Sequence, residues 1–123
     1  MKTVAIIGAS ADRKKFGNKS VRAHQKQGWK VFPVNPKAVK IEELDSYQSI
    51  LDIKESVNRV SIYLHPEQGI KILNDIAKIK PDEVFVNPGA SSEELLNKAK
   101  KLNLNIIEAC SIVDVGEQPI NYY

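Results

Sequence analysis

Hydrophobic residues recur along this chain in short runs of strand length, separated by longer stretches where they return every third or fourth position. Five runs rich in valine and isoleucine, at 2–7, 30–34, 60–64, 83–86 and 104–107, each with a turn signal nearby, predict β-strands. Three helices are predicted between them. The first spans about Gly17 to Gln27, with Gly28 as its C-terminal cap and only a thin apolar face. The second starts at Pro66, a residue suited to the first helical position, and aligns Ile70, Leu73, Ile76 and Ala77. The third opens on Ser91 and Glu94 at capping-box spacing and buries Leu95, Leu96, Ala99 and Leu102. Residues 38–59 are less regular, with an excursion around Tyr47 and a short helix or turn near 49–56.

Strand and helix in alternation imply a parallel sheet with helices on both faces. The expected fold class is therefore α/β: a single Rossmann-like three-layer domain over residues 1–123, with a five-stranded parallel sheet. Right-handed crossovers leave Rossmann-like or flavodoxin-like strand orders, and 3-2-1-4-5 is the expected one.

Ligands of such sheets bind beyond the carboxyl ends of the strands, so the residues just after each strand define a candidate edge. They are Gly8-Ala9-Ser10, Asn35-Pro36-Lys37, His65-Pro66, Asn87-Pro88-Gly89 and Ala109-Cys110. These groups hold small residues, prolines and hydrogen-bonding side chains and no carboxylate, which suits an anion rather than a metal. The first is the most telling. Glycine leaves room for a phosphate at the end of a buried strand, and the following helix N-terminus carries partial positive charge. An NAD site would show G-x-G-x-x-G here and an acid after the second strand. The chain has Gly8-Ala9-Ser10-Ala11-Asp12-Arg13 and Asn35-Pro36-Lys37 instead. No G-K-[ST] occurs, so a Walker P-loop is excluded.

Charge sharpens this picture. Residues 1–40 hold ten Lys/Arg against Asp12 alone, a net of +9, whereas residues 41–123 hold eight against fourteen acids, a net of −6. The basic half contains the glycine turn, and such a field favours a polyanionic ligand, although a solvated basic face has the same composition. The basic residues are not interleaved with aromatics and match no nucleic-acid motif, so nucleic acid is not an expected partner. The single cysteine, Cys110, permits no internal disulfide and fits a reducing, cytoplasmic setting. The first apolar run is too short to span a membrane, and no signal-peptide pattern follows it. Neither a membrane nor a metal is expected.

Three stretches in order, Gly8-Ala9-Ser10, Lys15-Phe16-Gly17-Asn18 and Val31-Phe32-Pro33-Val34-Asn35-Pro36, resemble the small stand-alone CoA-binding proteins, which are similar to the N-terminal domain of the succinyl-CoA synthetase α subunit. Tyr63-Leu64-His65-Pro66-Glu67, Asn87-Pro88-Gly89-Ala90 and Cys110 agree, so the resemblance covers nearly the whole chain. It departs at Asp114, where relatives often have Glu, and at Val86-Asn87, where they have an aromatic-Gln pair. The resemblance implies coenzyme A or an acyl-CoA as the ligand. Gly8, Ala9 and Ser10 would meet the pyrophosphate and Lys15 a phosphate. Asn35, Pro36 and Lys37 would border the adenosine 3′-phosphate end. Leu64, His65, Pro88 and Gly89 would flank the adenine and the pantetheine arm, with Cys110 near the thiol. The relatives' ligase chemistry needs a phosphorylated histidine in another domain, so binding without ligation is the expectation.

Plainer roles compete at each position. Gly8 would serve a tight turn, and Gly17 and Asn18 the start of a helix. Asn35-Pro36 would end a strand, Lys15 would be a surface lysine, and His65 would cap a helix or stand in solvent. His24 falls on a helix and reads as structural. Cys110 reads first as a buried, inert thiol. Two rival functions stay open, an NAD(P)-binding redox sensor or enzyme and a small acyl-group enzyme using Cys110. A pure interaction module is a third. A homo-oligomer or an unknown protein partner stays open too, as do roles for Tyr122 and Tyr123 in packing on a partner chain or in a frayed end.

Overall fold

The computed structural model describes residues 2–37 and 39–123. Its main sheet has five parallel strands: β1 (Thr3–Ile7), β2 (Lys30–Val34), β5 (Arg59–Ile62), β6 (Glu83–Val86) and β7 (Ile106–Glu108). They lie in the order β2-β1-β5-β6-β7. A small antiparallel hairpin, β3 (Lys40–Ile41) and β4 (Leu44–Asp45), follows β2. Helices α1 (Phe16–Lys26), α2 (Pro66–Ile79), α3 (Glu93–Lys101) and α4 (Ser111–Asp114) complete the layers.

The α/β class and the five-stranded parallel sheet are as the sequence predicts. With the isolated parallel bridge between Val34 and Tyr47, on the outer edge of β2, counted in third place, the order reads 3-2-1-4-5-6, which contains the expected 3-2-1-4-5. The run at 60–64 had been expected in that place. It lies instead on the other side of β1, pairing Val60 with Ala5 and Ile62 with Ile7. Counted over the five ladder strands alone, the order is 2-1-3-4-5. The chain therefore reverses direction across the sheet between β1 and β5.

The two faces of the sheet are filled differently. Ala5, Ile7, Val60, Ile62, Val84 and Val86 point to one side, where they meet Leu73 and Ile76 of α2 and Leu95 and Ala99 of α3. Full burial of each such aliphatic side chain contributes about 1.5–3 kcal/mol. On the other side, Val4, Ile6 and Val31 pack with Val21 of α1, and Ala23 packs with Ile112 and Tyr122. The thin apolar face of α1 has a structural reason: Asn18, Lys19, Ser20 and His24 are buried on it as well.

Local capping adjusts the expected boundaries. α2 begins at Pro66 as predicted, and Gly28, at φ +84°, follows the C-cap of α1. The α3 cap is Ser92, whose hydroxyl accepts from Leu95 N at 3.1 Å, and not Ser91. Ser91 donates instead to Glu108 at 2.8 Å. Near 49–56 only a 3-10 turn forms, Ile50–Asp52, capped by Ser49. Tyr122 is inside the protein, donating to Glu117 at 2.7 Å, while Tyr123 is exposed. Burial, with that hydrogen bond, pushes the Tyr122 phenol up to about 12. Among the described residues no helix is long and apolar enough to cross a membrane.

Candidate ligand-binding site at the carboxyl edge of the sheet

Reversal of the chain between β1 and β5 opens a crevice at their carboxyl ends, the place where doubly wound sheets take ligands. β1 leaves the sheet through Gly8, at φ +86°, a conformation that L side chains rarely adopt. A Cβ there would lie 2.8 Å from the Tyr63 carbonyl oxygen and 3.2 Å from Leu64 Cδ2. The glycine thus allows the ends of β1 and β5 to touch. Gly17 makes the second close approach. A Cβ on it would press into the Gly8 carbonyl, so α1 starts directly against the end of β1. Close helix–strand packing is the task of the third glycine in a dinucleotide fingerprint. Here a longer loop delivers that contact, and the sequence pattern therefore conceals it.

The loop between these glycines is held by its own polar groups. Asp12 N donates to Ser10 Oγ at 3.0 Å, Lys14 N to Asp12 Oδ1 at 3.0 Å, and Lys15 N to the Asp12 carbonyl at 3.1 Å. Asn18, buried, ties α1 back to the loop through Nδ2 to the Ser10 carbonyl at 2.9 Å. The first intrahelical bonds of α1 run from Asn18 N and Lys19 N to the Lys15 carbonyl. The amides of Phe16 and Gly17 precede them and are oriented to donate outside the helix.

On the opposite rim, Asn35 Nδ2 donates to the Ala9 carbonyl at 2.9 Å, and Asn35 Oδ1 accepts from Lys37 N at 2.8 Å. Asn35 therefore ends β2, holds the first loop and shapes the turn that carries Lys37. Across the sheet, Asn87 is buried. Its Nδ2 donates to Ser61 Oγ at 2.8 Å and to the Ile62 carbonyl at 2.9 Å, and its Oδ1 accepts from Ser111 N at 2.9 Å. Ser111 Oγ lies 2.7 Å from Ser61 Oγ and 2.9 Å from the Tyr63 hydroxyl. Burial pushes the Tyr63 phenol up, which keeps it a neutral partner in this network.

The result is a cleft of about 850 Å³. All twelve residues expected at the site line it: Gly8, Ala9, Ser10, Lys15, Asn35, Pro36, Lys37, Leu64, His65, Pro88, Gly89 and Cys110. Ala11, Asp12, Phe16, Gly17, Val39, Tyr63, Asn87 and Ala90 also line it. Pro66 and Ala109, from the third and fifth strand-end groups, do not. Asp12 places one carboxylate on a wall where the strand-end reading had none. His65 caps α2 only through its backbone; its side chain makes no capping bond and faces the cleft. Cys110 is half-buried at the start of α4. His24 is remote from the cleft and wholly buried, with Nδ1 2.8 Å from the Ser20 carbonyl, and burial holds it down at about 4. Among the described residues no three His, Cys, Asp or Glu gather to hold a metal ion.

Lys15 and Lys37 are exposed at the rim, and the opening of α1 lies beside them, so one end of the cleft is built for anions. Another part of the lining, Pro88, Ala90 and Cys110, carries no charged side chain. A long ligand with phosphates at one end and an uncharged arm at the other matches that gradient.

The chain is 31% identical over 114 residues to an ADP-forming acetate–CoA ligase of Methanocaldococcus jannaschii, covering 86% of this chain and 16% of that enzyme. It is 38% identical over 96 residues to ADP-forming acetate–CoA ligase II of Archaeoglobus fulgidus, covering 75% and 14%. The chain thus spans about a sixth of the length of these relatives. Among solved structures, a conserved hypothetical protein of Pyrococcus furiosus superposes with a TM-score of 0.84 at 26% identity, covering 93% of this chain and 99% of that one. Residues 2–116 match the family model described as CoA binding domain, and the chain belongs to that family.

Proposed function

We propose that this protein binds coenzyme A or an acyl-CoA through its phosphates, at the carboxyl edge of the sheet, and carries no ligase reaction of its own. The observation that supports this most is the convergence of the cleft on a single polarity gradient. Gly8, Ala9, Ser10 and the first amides of α1 receive the pyrophosphate, and Lys15 pairs with a phosphate oxygen. Asn35, Pro36 and Lys37 border the 3′-phosphate of the adenosine. Leu64, His65, Pro88 and Gly89 flank the adenine and the pantetheine arm, and the thiol end reaches toward Cys110. The volume falls within the range of about 300–1,000 Å³ usual for ligand sites. Relatives whose names assign them acetate–CoA ligation support the ligand.

Binding lowers the free energy of the folded state by mass action, so thermal shift reads it directly. CoA raises the melting temperature, dephospho-CoA raises it less, and NAD and NADP raise it least. Lys37→Ala narrows the gap between CoA and dephospho-CoA. Absence of stabilisation by millimolar CoA, or tighter binding of NAD(P), overturns the reading.

A further inference from the structure

Three carbonyls of the loop between β1 and α1 are held from outside the loop, each by one side chain. Asn35 holds that of Ala9 at 2.9 Å, Asn18 that of Ser10 at 2.9 Å, and Arg22 that of Arg13 at 2.8 Å. Arg22 connects the most. Its Nε donates to Asn18 Oδ1 at 2.7 Å, and its Nη2 donates to the Arg13 carbonyl and also to the Tyr122 carbonyl at 2.7 Å. Asn18 and Arg22 lie one turn apart on α1 and so share a face. Arg22 is half-buried and, among the described residues, stands outside the lining of the cleft, whereas Ser10, Ala11 and Asp12 line it.

A guanidinium donates and never accepts. Asn18 must therefore turn Oδ1 toward Arg22, and this leaves its Nδ2 for the Ser10 carbonyl. In a trans peptide the N–H points opposite to the preceding C=O. Tying back the Ser10 carbonyl thus directs the Ala11 N–H away from Asn18. Tying back the Arg13 carbonyl directs the Lys14 N–H away from Arg22, toward Asp12 Oδ1. Tyr122 is buried and anchored through its hydroxyl on Glu117, so its carbonyl gives Arg22 a fixed far point. We infer that Arg22 is a positioning residue of the phosphate loop: without touching the ligand, it holds the backbone from Ser10 to Arg13 in the shape that receives the pyrophosphate. This rests on the CoA reading above and adds to it a residue outside the cleft on which affinity depends.

Arg22→Lys separates position from charge. It keeps the cation, but a single nitrogen cannot span the three acceptors that Nε and Nη2 reach together. Calorimetric titration of this variant gives a CoA affinity about tenfold weaker than that of the unmodified protein, the scale of one charge-assisted hydrogen bond. Dephospho-CoA, which keeps the pyrophosphate, weakens by the same factor. Arg22→Gln loses at least as much, and its loss persists from about 0.1 M to about 1 M salt, where attraction by charge alone is screened. A merely structural role lowers the melting temperature and leaves the Kd of the folded protein unchanged. In the unmodified protein, NMR finds the Arg22 Nε–H protected from exchange both before and after CoA is added. An unprotected Nε–H in the free protein overturns the inference with no variant to fold, as does a loss in Arg22→Gln that vanishes at high salt. If the unmodified protein binds CoA and Arg22→Lys binds it equally well, only this inference falls. If CoA does not bind the unmodified protein, both readings fall.

Discussion

The two faces of the sheet solve different problems with the same strands. Toward α2 and α3, alternate residues of β1, β5 and β6 are aliphatic and close over Leu73, Ile76, Leu95 and Ala99. Toward α1 and α4, the intervening positions of β5 are Arg59 and Ser61, and Asn87 follows β6. Arg59 lies between the rings of Trp29, 4.5 Å away, and Phe85, 4.3 Å away, and pairs at 2.6 Å with both Glu83 and Asp114. Asp114, one of the two positions that depart from relatives, thus serves this pair. An apolar face needs only volume, whereas a polar face needs direction. The directional face is the one whose groups continue into the cleft, through Asn87, Ser111 and Tyr63. Folding energy and site geometry are in this way assigned largely to opposite sides of one sheet.

Substitutions on the two faces are expected to differ in kind. Leu73→Ala, in the apolar layer, costs about 2–5 kcal/mol in urea unfolding and leaves the CoA affinity of the folded protein unchanged. A changed Kd in that variant breaks the division of labour. Acid acts on the other face. His24 is held neutral at about 4 by burial, whereas its unfolded value is near 6.5. The unfolded chain binds the extra proton, so this group's contribution is full above about 6.5 and is lost as pH falls toward 4, by up to about 3 kcal/mol. Urea titrations at stepped pH read the slope, and His24→Gln flattens it across that window. Gly17→Ala is the smallest in stability, about 1–3 kcal/mol of overpacking. Its effect on CoA is disproportionate, because α1 must back away from β1 and carry its amides with it. Retention of full CoA affinity in Gly17→Ala breaks the assignment of the helix opening to phosphate binding.

Strand ends were legible because polarity, glycine and proline change abruptly there, and the doubly wound fold turns such changes into one edge. For that reason twelve residues scattered from Gly8 to Cys110 line one cleft. Lateral placement was less legible. The run at 60–64 has the composition of any buried strand, and nothing local says that it passes β2 to lie beside β1. The contributions of Phe16, which opens α1, and of Val39, in the loop after β2, do not come from a strand terminus. The face of α1 was hidden for another reason. Lys19, Ser20 and His24 add no apolar residue to its stripe; Lys19 is covered by Phe16 and Tyr123, and His24 Nδ1 meets the Ser20 carbonyl. The α3 cap slipped by one position because Ser91 and Ser92 are equivalent locally, and Glu108, seventeen residues on, engages the first of them.

Contact between Gly17 and Gly8 gives the cleft a mechanical asymmetry. Helix and strand meet backbone to backbone there, with no side chain between them to change rotamer. That wall cannot yield to a longer or bulkier ligand except by moving α1 as a body. The opposite wall is free to yield: Pro88 and Gly89 are exposed, and a Cβ on Gly89 would have nothing within 4 Å. On the proposed binding mode, any adaptation to the ligand's arm falls on Pro88 and Gly89, because Ala90 is buried in the core, while the phosphate end keeps one shape.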